Sequence, residues 1–125
     1  MPRIYQNTDV GVFPSRCEAG INLVMMEYMA CGKPVIATIG TGQKDLINEK
    51  TGIAIENSGI CNLIENDKIV SQWEEPNVDS VIDKLDWAYH NRAKLKPLAK
   101  QGAKFISQYT WERMAQQIIN LIPKI

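Results

Sequence analysis

Along the first half of the chain, apolar residues come in short blocks closed by turn formers; along the second half they recur at helical spacing. Asp9–Phe13 is short, apolar and stopped by Pro14 and Ser15, the pattern of a buried strand. After a loop over Ser15–Ile21, Asn22 is placed to cap a helix over Leu23–Cys31. Gly32 then stands where a left-handed residue ends a helix, and Pro34 bars continuation. Pro34–Thr38 predicts a second buried strand, Gly40–Gly42 a tight turn into a short helix over Gln43–Asn48, and Gly52–Glu56 a third strand. Asn57–Asp67 reads as loop and Lys68–Trp73 as a short edge strand. Asn77 is placed to cap a helix reaching His90, in which Val78, Val81, Ile82, Leu85 and Ala88/Tyr89 recur at helical spacing. Helices over Leu95–Gln108, with Pro97 in the first turn, and over Trp111–Ile122, capped by Thr110, complete the chain. Apolar strands alternating with helices predict an α/β fold, a parallel sheet covered on both faces, followed by an all-helical last third. No compositional shift divides the chain, so residues 1–125 read as a single domain.

Composition narrows the function classes. Lys+Arg and Asp+Glu are both 14, so there is no cationic surplus for a polyanion, and nucleic acid is not an expected partner. No apolar run approaches the roughly 20 residues of a membrane helix, and the opening MPRIYQNTD has no apolar signal region. The three cysteines, Cys17, Cys31 and Cys61, are an odd number at wide spacing, and His90 is the only histidine. They suggest buried free thiols in a reducing compartment, hence a cytoplasmic protein, with no zinc pattern. His90 is expected to be exposed, and Trp73, Trp87 and Trp111 to serve in core or helix packing.

One segment is specific enough to carry chemistry. It runs Val12-Phe-Pro-Ser-Arg-Cys-Glu18-Ala-Gly-Ile-Asn22-Leu-Val-Met-Met-Glu27, then Ala30-Cys-Gly-Lys-Pro34-Val-Ile-Ala37. Further on come Gly40-Thr-Gly42 with Asp45-Leu-Ile47, Thr51-Gly52-Ile53, and Trp111-Glu112. In order and type this resembles the donor-site half of GT-B glycosyltransferases, most closely the retaining family 4, also described as glycosyl transferases group 1. The resemblance spans nearly the whole chain, most closely 9–56. It implies a partial Rossmann-like sheet of about three strands and the C-terminal part of a nucleotide-sugar-binding domain, with the acceptor domain absent.

Elementary physics agrees with such a ligand. Open α/β sheets bind at the carboxyl ends of their strands, where the loop Ser15–Ile21 lies. The following helix turns its free N–H groups and positive dipole end toward the same place, which suits a diphosphate. Gly20 allows close backbone approach, and carboxylates accept paired hydrogen bonds from vicinal hydroxyls. The resemblance assigns roles. Glu18 is the catalytic residue, holding the donor sugar near its reacting carbon. Glu27 holds the nucleotide ribose, the backbone at Gly20, Ile21, Asn22 and Leu23 meets the diphosphate, and Arg16 joins the substrate-binding set or pairs with a carboxylate.

Eight residues separate Glu18 from Glu27, one more than in the family's usual motif. Inside a helix the extra residue would swing Glu27 by about 100°; in the loop it costs little, and the loop is where we place it.

The expected function is therefore the donor-binding portion of a retaining glycosyltransferase acting on a glycan or lipid-linked acceptor. The alternatives are a non-catalytic nucleotide-binding remnant and a protein-interaction module. No cofactor and no metal are expected, because no His–carboxylate or Asp-x-Asp cluster neighbours the segment; the donor is a substrate. The first half of the donor domain, with the basic pair the family sets against the diphosphate, has no counterpart here. A companion chain carrying the acceptor half, or a homodimer closing over the bare strand Asp9–Phe13 and the Trp111–Ile122 helix, is the expected partner.

Overall fold

The computed structural model describes residues 2–122. A short helix α1 (Pro2–Gln6) leads into β1 (Gly11–Phe13), α2 (Leu23–Ala30) and β2 (Val35–Thr38). A 3-10 turn over Thr41–Asp45 precedes β3 (Ile53–Ile55) and a hairpin of β4 (Asn57–Glu65) and β5 (Lys68–Pro76). Three helices follow, α3 (Val78–His90), α4 (Arg92–Ile106) and α5 (Trp111–Leu121). The fold is α/β, as the apolar blocks predict. β1, β2 and β3 form a parallel sheet in that order, with Val12 opposite Ile36 and Ala37 opposite Ala54.

The middle strand explains why the sheet is apolar throughout. All four residues of β2 are buried, and they serve two cores. Val35 and Ala37 pack with Met25, Tyr28 and Met29 of α2, with Leu46 and Ile47, and with Ile106 of α4. Ile36 points the other way, toward Ile55, Ala88 of α3 and Leu95 of α4. Each fully buried side chain of this size contributes about 1.5–3 kcal/mol. Asn22 caps α2 as predicted, its side chain accepting the Met25 N–H, and Gly32 adopts φ 70° just past the helix end.

Several expectations are corrected. Asn57–Asp67 is not loop: its first nine residues are β4, paired with a β5 that extends to Pro76 and joins no other strand. Asn66 and Asp67 both take positive φ, which is what a two-residue hairpin turn requires. The short helix expected at Gln43–Asn48 is a 3-10 turn starting at Thr41, and α1 was not foreseen. α4 starts three residues earlier than expected, which places Pro97 in its second turn.

Only part of the apolar stripe of α3 faces the core: Ala88 is buried there and Val81 packs against it. Val78, Ile82, Leu85 and Tyr89 are exposed, whereas Ser80 and Ala88 are buried. Ser80 is buried because its hydroxyl accepts the Glu56 N–H at the end of β3. α5 has no buried residue, and Trp111 is 89 % exposed, so among the described residues that tryptophan is not packed into a core. Cys17 is exposed and Cys31 and Cys61 are half-buried, so the thiols are free but not buried. His90 is exposed, as expected. Among the described residues no helix is long and apolar enough to cross a membrane.

Candidate functional site

Because the strands are parallel, the segments leaving β1, β2 and β3 emerge at one end of the sheet, and they are tied to one another. The Glu18 N–H donates to Thr41 Oγ1 at 2.9 Å, joining the loop after β1 to the turn after β2. The Thr38 hydroxyl lies 2.7 Å from the Ser15 carbonyl and 2.5 Å from Gln43 Oε1. A Cβ added to Gly42 would sit 1.7 Å from the Gly20 carbonyl oxygen, so these two turns touch backbone to backbone.

Within the loop, Asn22 serves two partners. Its Oδ1 accepts the Met25 N–H, and its Nδ2 donates to Glu18 Oε1 at 2.9 Å. The cap therefore also fixes a carboxylate beside the start of α2. Met26 N–H is taken by the Asn22 carbonyl. Among the described residues the N–H groups of Leu23 and Val24 have no protein acceptor, the two donors that a helix start offers an anion. Gly20, Ile21 and Leu23 are exposed, so this backbone is open to a ligand.

Glu27 sits on the outer stripe of an uninterrupted α2, one turn beyond Leu23 on the same face. It is exposed, and its Oε2 accepts the Tyr5 hydroxyl of α1 at 3.0 Å. That bond raises the Tyr5 pKa above the ordinary tyrosine value. Tyr5 stacks edge-on against Tyr28, which anchors the contact to the core. Glu18 and Glu27 thus flank the helix start, but each has its own holder.

Of the two roles expected for Arg16, the structure shows the pairing with a carboxylate. The guanidinium forms a two-pronged pair with Glu75 of β5, Nε to Oε2 at 2.5 Å and Nη2 to Oε1 at 2.7 Å. Lys33 donates to the carbonyls of Gln6 and Thr8 and is occupied there. The Arg16–Glu75 pair closes one side of a groove of about 720 Å³ between the loop after β1 and the base of the hairpin, lined also by Cys17, Trp73 and Val78. The hydrogen bond from Arg16 holds the Glu75 carboxyl below the usual glutamate range. A lowered folded-state pKa means that the tie is complete above the ordinary glutamate value, about 4.3, and is lost as pH falls through the lowered value. The Arg16 Nε–H should therefore exchange more slowly than that of a free arginine at neutral pH and lose that protection in acid, once the Glu75 carboxylate is protonated. Equal protection at both would contradict the pairing.

The residues that sequence reasoning missed are Thr41 and Gly42, Tyr5, and Glu75. The first two lie in a turn expected only to lead into a short helix, and the last in the part of β5 beyond the strand end expected at Trp73. Among the described residues no three His, Cys, Asp or Glu side chains are grouped so as to hold a metal.

Comparison with known proteins places this geometry. A family model described as glycosyl transferases group 1 matches residues 1–66, just over half of the chain. Sucrose-phosphate synthase from Thermosynechococcus elongatus superposes with a TM-score of 0.70 over 94 % of this chain, at 26 % identity. Anabaena HepE in complex with UDP superposes with a TM-score of 0.72 over 97 % at 17 % identity, and HepE with UDP and glucose with 0.71 over 96 % at 17 %. The chain spans only 25 %, 30 % and 29 % of those three chains. No curated protein matches the sequence. The matched segment holds β1, the Glu18 loop, capped α2 and β2, and the fold is that of part of a GT-B glycosyltransferase: this chain belongs to the family of glycosyl transferases group 1.

Proposed function

We propose that this chain is the nucleotide-sugar-binding part of a retaining glycosyltransferase that transfers a sugar to a glycan or lipid-linked acceptor. The observation that carries the reading is the start of α2: a helix capped by Asn22, with two unpaired N–H groups, beside a carboxylate fixed by the same cap. In this reading the diphosphate lies against the backbone of Gly20–Leu23. The N–H groups and the helix dipole stabilise negative charge developing on the leaving diphosphate. Glu18 accepts from donor-sugar hydroxyls and Glu27 from the ribose pair. Family membership supports this, as do the UDP and glucose held by HepE on the same fold. Calorimetric titration of the chain with UDP and UDP-glucose is the test. Saturable binding of both is expected, and no heat from either would remove the reading.

A specific observation favours binding without turnover in the isolated chain. Arg16 and Lys33, two of the cations flanking the segment, are engaged by Glu75 and by the carbonyls of Gln6 and Thr8. The basic pair that the family sets against the diphosphate has no counterpart among the described residues, and in this reading the rest of the donor domain, on the same polypeptide or a companion chain, supplies it. No metal takes part in this reading. Excess chelator is expected to leave UDP affinity unchanged, and affinity that vanished with chelator and returned with manganese would contradict it.

The same reading accounts for the uncovered face of α5, where Met114, Ile118, Ile119 and Ile122 are all at least half exposed. Without a companion chain, two copies are expected to cover these faces about a two-fold axis. Light scattering at micromolar concentration should give a mass near twice 14.1 kDa, and a monomer at every concentration would contradict the pairing.

A further inference from the structure

Thr41 combines two features that a simple turn does not need. Its φ is 48°, in the left-handed region, where a β-branched residue is an outlier. Glycine would adopt that conformation freely, and glycines stand on either side at Gly40 and Gly42. What threonine adds is a hydroxyl, and that hydroxyl accepts the backbone N–H of Glu18 at 2.9 Å. Backbone strain of this kind persists where surrounding structure over-determines it, and it clusters at functional sites. Here the surroundings do over-determine it: Gly42 is pressed against the Gly20 carbonyl, and the Ser15 carbonyl is held by Thr38.

We infer that Thr41 is a positioning residue that fixes the main chain of Glu18 and so sets where its carboxylate meets the donor sugar. The inference rests on the proposed role of Glu18. The carboxylate is gripped at two points, its backbone by Thr41 and its Oε1 by Asn22. The second grip alone leaves the peptide plane before Glu18 free to rotate. Thr41 acts on the sugar through Glu18, not on the nucleotide, whose partners lie along the start of α2.

The test uses the full chain and four variants: Thr41→Val, which keeps the branched shape and loses the acceptor, Thr41→Ser, Glu18→Ala, and the double variant Glu18→Ala/Thr41→Val. Calorimetry reads how much tighter UDP-glucose binds than UDP. Thr41→Val is expected to remove most of that gain, roughly tenfold if one hydrogen bond to the charged carboxylate is lost, while UDP affinity changes less than about twofold. Thr41→Ser should restore the gain, and the double variant should bind no worse than Glu18→Ala alone. Amide exchange at Glu18 should quicken in Thr41→Val and not in Thr41→Ser. Unchanged Glu18 exchange in Thr41→Val, or additive losses in the double variant, would overturn the positioning role while leaving Glu18 in the site. A wild-type chain that binds UDP but prefers UDP-glucose by nothing would instead remove Glu18 from the sugar, and Thr41 with it.

Discussion

Gly42→Ala should abolish measurable nucleotide binding and lower the stability of the chain by about 1–3 kcal/mol, the usual cost of forcing atoms into a filled space. The added Cβ would stand 1.7 Å from the Gly20 carbonyl oxygen, 2.7 Å from its carbon and 3.3 Å from the Ile21 nitrogen. All three are backbone atoms, so no side chain can swing aside to make room. The loop after β1 must retreat, and with it go the amides of Gly20–Leu23 and the Glu18 N–H bond to Thr41. Gly20→Ala is the informative contrast. A Cβ there meets nothing within 4 Å, so the fold should keep its melting temperature. Any loss of UDP affinity in that variant would report the ligand's own closeness. Thermal unfolding and titration of the two variants separate these effects, and a Gly42→Ala chain as stable and as avid as the wild type would contradict the contact.

Glu27→Ala should weaken UDP binding at least tenfold without unfolding the chain. A hydrogen bond from a ribose hydroxyl to a carboxylate is worth about 1.5–3 kcal/mol, and 1.4 kcal/mol is already a factor of ten. The side chain is exposed, so removing it opens no cavity. Among the described residues its one side-chain partner is the Tyr5 hydroxyl, which uses Oε2 and leaves Oε1 for a ligand. Tyr5→Phe separates the two roles. It takes away the holder but not the carboxylate, and it should cost less affinity than Glu27→Ala. Because the bond raises the Tyr5 pKa, its contribution is present below the ordinary tyrosine value, about 10, and fades as pH rises through the raised value. Calorimetry that gave equal UDP affinity for wild type and a folded Glu27→Ala would remove Glu27 from the site.

The parts of the fold legible in the sequence were those where local chemistry and tertiary packing agree. Val35–Thr38 is buried at every position because both sheet faces are covered, and its apolar run Val35–Ala37 reads as a strand without help. Asn22 and Gly32 bracket α2 with a cap and a left-handed terminus, and both act as their chemistry dictates. Most of β5 was legible as an edge strand, but β4 and the pairing of the two escaped because β4 is exposed along nearly its whole length and neither alternation nor a continuous apolar run marks it. The signal present was Asn66-Asp67, a pair that tolerates positive φ at both turn positions.

The stripe of α3 was legible only in part, since Val81 and Ala88 reach the core and its other members do not. Val78, Ile82, Leu85 and Tyr89 have the spacing of a buried face, yet the small residues Ser80 and Ala88 are what let the helix approach the sheet. At the candidate site, Glu18, Glu27 and the loop between them were visible as a motif. Their holders were not, since Thr41, Tyr5 and Asn22 Nδ2 reach them across the fold or through a second bond of an already assigned cap.

The central claim is that the backbone between Gly20 and Leu23 receives the diphosphate of a nucleotide sugar. Titrating the isotope-labelled chain with UDP while following its amide resonances tests this most directly. The account predicts saturable shifts that are largest at Gly20, Ile21, Asn22, Leu23 and Val24, with smaller ones at Glu27 and little change along α4 or at the hairpin tip near Asn66. Shifts concentrated elsewhere, such as in the groove beside Trp73 and Val78, or none at millimolar UDP, would contradict it.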